Sequence, residues 1–314
     1  MTYNNDLVNR FWVYVEQKNL RSAIEKPRTG SRPPVFPAIR ADGNVILCPD
    51  ASMGDRQKVV SQIPKRARHR WFGSMKSSQA LAQSVFGNLI VYEGLNVLRD
   101  LKTDTGEPLL GFAPESASLE SPIEFLGEPR RTEVDVLVLG EGGHRVAIEC
   151  KLSETAVGAC SRPSLTPDDP NYKVQFCDGS YACQRGRKER CSLTHIGVKY
   201  WEHIPKLFAW KDDRDYQPCP IHEPYQLVRN VLAACANDKR PSSPRLGHAV
   251  LLYDNRNPAF QAIGKGQRAF QQTRNALRDP STLRKCSWQA VLGHLRQSHT
   301  LPWLTDEVQA KYGF

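Results

Sequence analysis

Three charged residues, Asp135, Glu149 and Lys151, stand within two otherwise apolar runs of the sequence. A glycine-rich segment separates these β-branched and aliphatic runs, a pattern that predicts a β-hairpin over residues 131–151. If the turn is centred on Gly142, Asp135 lies directly opposite Glu149 on the neighbouring strand. Because side chains alternate along a strand, Lys151 then leaves from the same face as Glu149.

Two carboxylates that face each other need a compensating charge, because like charges directly opposite destabilise a strand pair. Mg²⁺, or Mn²⁺ in its place, suits this position because such cations prefer oxygen ligands and retain several water molecules. The backbone carbonyl of Cys150 is a further possible oxygen ligand. Beside the metal, Lys151 can orient water and stabilise charge on a phosphate. The three residues therefore indicate metal-assisted hydrolysis of a phosphodiester, with Asp135 and Glu149 as metal ligands.

A Glu-x-Lys triplet alone is only weakly diagnostic. Glu16 and Lys18 form a second such triplet, but they stand in a helical pattern without a partner strand. The alternative for Glu149 and Lys151 is an ordinary charged strand end. The upstream Asp135, the strand–turn–strand context and the apolar surroundings favour the catalytic interpretation.

Together, Asp135 and the triplet Glu149-Cys150-Lys151 on the next strand resemble the PD-(D/E)XK superfamily of restriction-endonuclease-like nucleases. The sequence departs from the literal Pro-Asp pair, because Val134 precedes the aspartate. The resemblance implies an α/β fold with a central mixed sheet flanked by helices. It also implies Asp135 and Glu149 as Mg²⁺ ligands and Lys151 as the catalytic lysine.

The segment from Ser77 to Tyr92 is similar to the first core helix of that superfamily, which often supplies a glutamate. This segment offers Gln79 and Gln83, with Glu93 at its end, so no acidic residue is assigned from it. Residues 65–295 also resemble a largely uncharacterised bacterial group of restriction-endonuclease-like proteins. The matching pieces are Ser77-Ser78-Gln79-Ala80, Glu149-Cys150-Lys151, the spaced cysteines and Tyr225-Gln226-Leu227-Val228-Arg229-Asn230.

A predicted helix after Pro224 carries apolar residues on one face and polar residues on the other. On the polar face, Gln226 and Arg229 are supporting candidates, because a helix that presents such side chains to a phosphate suits a nuclease cleft. The alternative is a solvated polar face.

Five cysteines in the middle of the chain are candidates for a second metal site: Cys160, Cys177, Cys183, Cys191 and Cys219. Four thiolates can hold structural zinc or an iron–sulfur cluster. No pair has Cys-x-x-Cys spacing, so neither signature is met, and free thiols in a long insertion are the alternative. The argument for a metal is that this long polar interval would otherwise lack a means of ordering itself.

The charge balance favours an anionic partner. Lys and Arg total 43 against 33 acidic residues, which gives a net charge of +10, and the run Lys65-Arg66-Ala67-Arg68-His69-Arg70 precedes Trp71-Phe72. Basic residues next to aromatic ones suit contact with phosphates and bases. We expect a nucleic-acid partner, DNA rather than RNA, although a basic surface without a specific partner is the alternative. Without a signal-peptide core or a long apolar run, the expected location is the cytoplasm, with no membrane contact.

Hydrophobic periodicity and turn signals predict alternating helices and strands. The predicted helices are 6–24, 77–92, 196–210, 224–237, 266–277 and 286–296, and the predicted strands are 44–48, 132–139, 145–152 and 248–253. Residues 103–122, which are rich in Gly, Pro, Ser and Glu, are predicted to form a loop.

In domain terms, we expect an N-terminal helix and proline-rich extension over 1–64 and a nuclease-like domain over 65–300. A cysteine-rich insertion is expected at 153–192 and a C-terminal tail at 301–314. The predicted function is Mg²⁺-dependent cleavage of phosphodiester bonds, most readily in DNA. The alternatives are a non-catalytic nucleic-acid-binding protein on the same fold and a metal-stapled protein-interaction module.

Overall fold

A computed structural model describes residues 2–25, 32–129, 132–239 and 241–314. The first part of the predicted proline-rich extension, residues 26–31, lies outside the described residues, as does the residue that begins the predicted hairpin segment, Arg131.

The core of the fold is a mixed sheet with the strand order β1-β2-β3-β4-β5. The strands are β1 (Pro114–Ile123), β2 (Thr132–Gly140), β3 (His144–Cys150), β4 (Gly247–Tyr253) and β5 (Leu283–Ser287). The first three strands pair antiparallel, whereas β3 pairs with β4 and β4 with β5 in parallel. Parallel neighbours need long crossover connections, and here helices supply them.

The predicted hairpin is confirmed, including its register. Val136 pairs with Ile148, so the turn is centred on Gly142, which has a φ of +71° in a short 3₁₀ turn. Glycine suits this left-handed position because it carries no Cβ. The strand predicted at 248–253 is also confirmed as β4.

The prediction of a loop over residues 103–122 is wrong, because Pro114–Ile123 forms the edge strand β1. The segment is polar and contains Pro122, which a strand tolerates only at an edge or a bulge. Hydrophobic alternation is therefore weak in this strand, and β1 is held by its pairing with β2.

Helices cover both faces of the sheet. They are α1 (Tyr3–Gln17), α2 (Met53–Ser61), α3 (Ser78–Ala82), α4 (Asn88–Val91), α5 (Tyr172–Gln175), α6 (Ser192–His195), α7 (Tyr200–Leu207), α8 (Tyr225–Cys235), α9 (Lys265–Ala276), α10 (Trp288–Gln297) and α11 (Pro302–Tyr312). One continuous helix contains α3, a π-helical turn at Gln83–Gly87 and α4. Ser77 caps this helix, because its side chain accepts a hydrogen bond from the N–H of Ala80.

The two faces of the sheet bury separate apolar cores. Val136 and Ile148 face a core shared with α1, α3, α10 and α11. Ala147 and Leu251 face the other, shared with α7, α8 and α9. This layered arrangement is an α/β architecture, as predicted. None of the described helices is long and apolar enough to cross a membrane.

Two predictions near the N-terminus are wrong. Helix α1 ends at Gln17 rather than at 24, because Asn19 has a φ of +52°, which does not continue a helix. Residues 44–48 form no strand, although Ile46 is buried. The N–H of Ile46 donates to Ser84 Oγ, and its carbonyl accepts from Asn88 Nδ2, so helix side chains satisfy this backbone.

Two elements near the C-terminus differ from the predictions. The helix predicted to begin at 286 begins at Trp288, because the preceding residues form the parallel edge strand β5. Residues 301–314, predicted as a tail, contain helix α11. Its Tyr312 is fully buried and packs edge-on against Phe11 of α1, with ring centroids 5.6 Å apart.

Candidate active site

The predicted pair of carboxylates meets where β2 and β3 run side by side. The backbone N–H of Cys150 donates to Asp135 Oδ2 across 2.7 Å, while the Cys150 side chain faces the apolar core. Asp135 therefore occupies the position opposite Glu149 that the hairpin register predicts. A side chain that accepts a hydrogen bond from the neighbouring strand is held firmly in place.

Glu149 and Lys151 form a buried ion pair on the same face of β3. Lys151 Nζ lies 2.8 Å from Glu149 Oε1, and the two residues are only 6% and 3% exposed. The chain at Lys151 is fixed by its N–H, which donates to the carbonyl of Leu252 in β4. Burial of the two charges is tolerated because each has a partner.

Helix α8 turns its polar face toward these residues. Gln226 Oε1 accepts a hydrogen bond from Lys151 Nζ at 2.8 Å, and Asn230 Nδ2 donates to Glu149 Oε2 at 2.6 Å. Arg229 lines the same space, and its buried Nε has no hydrogen-bond partner in the described part of the chain. Gln226 and Arg229 are partly exposed and line the cleft, so the polar face of α8 forms one of its walls.

Glu120 of β1 is a further acidic residue at the site, and sequence reasoning missed it. The register of β1 with β2 places Glu120 opposite Asp135. Its φ of +49° is unusual for a residue other than glycine, and such strain is concentrated at functional sites. Glu120 was missed because its segment was predicted to be a loop. The sequence around it offers little evidence of a site, since Glu120 is simply a glutamate between Leu119 and a small polar residue.

The electrostatic environment separates the three carboxyl groups. Burial, followed by the charges of Glu149 and Glu120, raises the pKa of Asp135 well above its usual range. Burial, with the charges of Glu133 and Glu149, raises the pKa of Glu120 to about 7. Burial opposes ionisation of Glu149 as well, but Lys151, with help from α8, holds its pKa below the usual range. Ionisation of Asp135 and of Glu120 therefore costs free energy, and a bound cation would remove that cost.

These residues lie at the base of a cleft of about 1540 Å³, which is larger than a typical small-molecule pocket of roughly 300–1,000 Å³. Basic and aromatic residues also line the cleft. They include Arg66, His69, Trp71, Lys76 and Arg162. Trp71 is 56% exposed, and the guanidinium of Arg70 lies 5.1 Å from the centre of its ring.

Gln79, Gln83 and Glu93, the polar residues considered in and after the helix that follows Ser77, lie in different environments. Gln79 lines the cleft and anchors the basic run: its Oε1 accepts from the N–H of His69 at 2.8 Å, and its Nε2 donates to the carbonyl of Ala67. Gln83 is buried and donates to carbonyl groups of α2. Glu93 does not belong to the cleft lining, so this helix supplies no carboxylate to the site.

Four of the five candidate cysteines meet around a second, smaller cavity. Cys160, Cys177, Cys191 and Cys219 line it, whereas Cys183 is exposed and lies elsewhere. As their side chains stand, no three His, Cys, Asp or Glu groups among the described residues are arranged to hold a metal ion.

Comparison with known proteins identifies the family. A family model described as "Restriction Endonuclease associating with ARP" matches residues 17–313, a range that contains every residue of the site and nearly the whole chain. No curated protein and no solved structure matches the chain. The description of the family indicates a nuclease-like function that involves nucleic acid. The chain belongs to the REase-ARP family of restriction endonucleases.

Proposed function

We propose that the protein is a divalent-metal-dependent nuclease of the PD-(D/E)XK type and that its substrate is DNA. The main support is the convergence of Asp135, Glu149 and Lys151 on adjacent strands at the base of a large cleft with basic walls. A binding site for phosphates alone has no use for buried carboxylates, because they repel the ligand.

The donor set fits a hard divalent cation. Asp135 and Glu120 carry carboxyl groups whose ionisation is opposed by their surroundings, as their raised pKa values show. Mg²⁺ commonly takes one or two carboxylates and completes its shell with water and phosphate oxygens. Asp135 and Glu149 would hold the ion, with Glu120 beside them. When bound, Mg²⁺ supplies a positive charge that stabilises the reacting phosphate.

Lys151 is positioned to act on the reacting phosphate. An ammonium group has three N–H donors, and Glu149 and Gln226 take two of those of Lys151. The third is available for a phosphate oxygen or for the attacking water. Because Glu149 and Gln226 fix the ammonium before substrate arrives, the charge needs little reorganisation during the reaction.

The cleft walls suit a nucleic acid. Arg66, Lys76 and Arg162 provide positive charge along the cleft, and Arg229 adds a guanidinium near the carboxylates. The exposed ring of Trp71 offers a surface on which an unpaired base can stack. The electrostatic part of such binding should weaken as salt concentration rises.

Cleavage of plasmid and linear DNA with Mg²⁺ or Mn²⁺ tests the proposal. We expect wild type to cleave and chelator to stop it. Asp135→Asn should abolish cleavage, and Lys151→Met should slow it by about 10²–10³-fold. Glu16→Gln is a matched control, because it alters the second Glu-x-Lys triplet on the exposed side of α1 and should leave the rate unchanged.

Each alternative function predicts a different result. Wild type that binds DNA or RNA without cleaving either would favour a non-catalytic nucleic-acid-binding protein. Cleavage of RNA alone would change the substrate but not the site. Equal cleavage by wild type, Asp135→Asn and Lys151→Met would show that the active site is wrongly assigned.

A further inference from the structure

Four cysteines that are far apart in the sequence line one small cavity on the α7–α8 side of the sheet. Cys160, Cys177, Cys191 and Cys219 contribute their side chains, and His222 borders the same space. The Nδ1 atom of His222 is buried without a hydrogen-bond partner in the described part of the chain. This cavity adjoins the active-site cleft, with which it shares the lining residues Arg162 and Leu193, but Asp135, Glu149 and Lys151 do not line it.

Backbone N–H groups point at all four sulfur atoms. For Cys177 the donor is the N–H of Gly179, which lies 3.4 Å from Sγ. Cys160 and Cys219 accept from the N–H groups of Arg162 and Ile221, and Cys191 accepts from those of Thr194 and Leu193. Hydrogen bonds from fixed N–H groups stabilise a thiolate, and such supporting donors are typical around metal ligands.

We propose that Cys160, Cys177, Cys191 and Cys219 bind one structural Zn²⁺ ion as thiolates. Four cysteine ligands around zinc are a common structural site. The room between the side chains is about 10 Å³, about that of a single water-sized sphere, which suits one ion and not a cluster of four irons and four sulfides. Coordination requires the thiols to adopt other rotamers about their Cα–Cβ bonds, since no three donors among the described residues converge as they stand.

The proposed zinc would connect the cysteine-bearing segment to the helix that supports the catalytic lysine. The N–H of Cys160 donates to the carbonyl of His222 at 2.8 Å, just before α8 begins. The N–H of Gln226 donates to the carbonyl of Gly158 at 3.2 Å. Residues between 162 and 198 also line the active-site cleft. The zinc proposal does not depend on the proposed nuclease activity, because metal content is measured without any substrate.

The first experiment is elemental analysis of the purified full-length chain. We expect about one zinc per chain. Cys191→Ser and Cys219→Ser should lose bound zinc, whereas the matched control Cys183→Ser, in the same segment but outside the cavity, should retain it. Iron with acid-labile sulfide in place of zinc would overturn the single-ion assignment. Zinc retained in both cavity variants would overturn the choice of ligands.

A second measurement uses the wild-type chain alone and decides the matter if the variants fail to fold. Exchange of the bound ion for Co²⁺ should give the intense thiolate-to-cobalt charge-transfer absorption and the visible bands of a tetrahedral site. Protein that contains no metal and binds Co²⁺ without these bands would overturn the proposal. A positive spectrum from a chain that cleaves no DNA would support the zinc site and count only against the nuclease proposal.

Discussion

Replacement of Glu120 by glutamine should stabilise the metal-free protein. Burial, followed by the charges of Glu133 and Glu149, raises the pKa of Glu120 to about 7 from an ordinary value of 4.5. The folded chain therefore holds this proton to a higher pH than the unfolded chain does. Above pH 7 the carboxylate is charged in both states, and the folded state bears the cost of the charge. A neutral glutamine side chain avoids that cost.

The size of the effect follows from the difference between the two pKa values. At about 1.36 kcal/mol for each pH unit, the change from 4.5 to about 7 corresponds to roughly 3 kcal/mol. Because the side chain of Glu120 is partly exposed, solvent screening reduces this to an expected gain of about 1–2 kcal/mol in the free energy of unfolding at pH 8. Below pH 4.5 the carboxyl group is protonated in both states, so the gain should vanish there.

Urea unfolding of wild type and Glu120→Gln in EDTA, at pH 8 and at pH 4.5, measures the gain. Glu115→Gln is the matched control, because Glu115 is an exposed glutamate on the same strand. Added Mg²⁺ should stabilise wild type more than Glu120→Gln if Glu120 lies beside the ion. A variant that is less stable than wild type at pH 8 in EDTA, or whose gain is the same at both pH values, would refute the electrostatic account of the site.

Two further predictions concern the helix and the cleft wall. Asn230→Ala leaves a buried oxygen of Glu149 without its hydrogen-bond donor at 2.6 Å. Urea unfolding should therefore show a free energy of unfolding lower by about 1–3 kcal/mol. An unchanged free energy of unfolding would mean that this contact does not stabilise the fold. Trp71→Ala removes an exposed ring beside the basic run. Fluorescence anisotropy should show that the binding free energy for single-stranded DNA is weakened by about 1–3 kcal/mol. Unchanged affinity would exclude base stacking at this residue.

The hairpin that carries the site was predictable because local features determine it. The turn at Gly142 and the alternation of apolar residues fix a register, and a shift of one residue would move every apolar side chain to the other face. Asp135 and Glu149 therefore face each other for reasons that are visible in one short segment. The same local logic gave the start of the helix after Ser77 and the strand β4.

The positions of the residues around Asp135 and Glu149 depend on tertiary contacts, which a sequence pattern does not reveal. Glu120 stands on a polar edge strand whose order comes from pairing with β2, so its composition is that of a loop. The polar face of α8 is visible in the sequence, but periodicity does not say whether solvent or another element covers it. Asn230 is 1% exposed only because α8 packs over β3 and β4. The four cysteines that line the small cavity likewise come from separate parts of the sequence, and no two of them have Cys-x-x-Cys spacing.

The energetics of the site favour the proposed catalytic function over binding alone. A protein that only holds a nucleic acid gains affinity from positive charge, and each buried carboxylate near the phosphate reduces that gain. Here the charges of Glu149 and Glu120 oppose ionisation of Asp135, and Glu149 is kept charged by Lys151 at the cost of burying both groups. Such an arrangement destabilises the metal-free fold, and the divalent cation that we propose beside the ordered lysine would remove that cost. A stability cost confined to one cluster at the base of a basic cleft is expected where the cluster is used for chemistry.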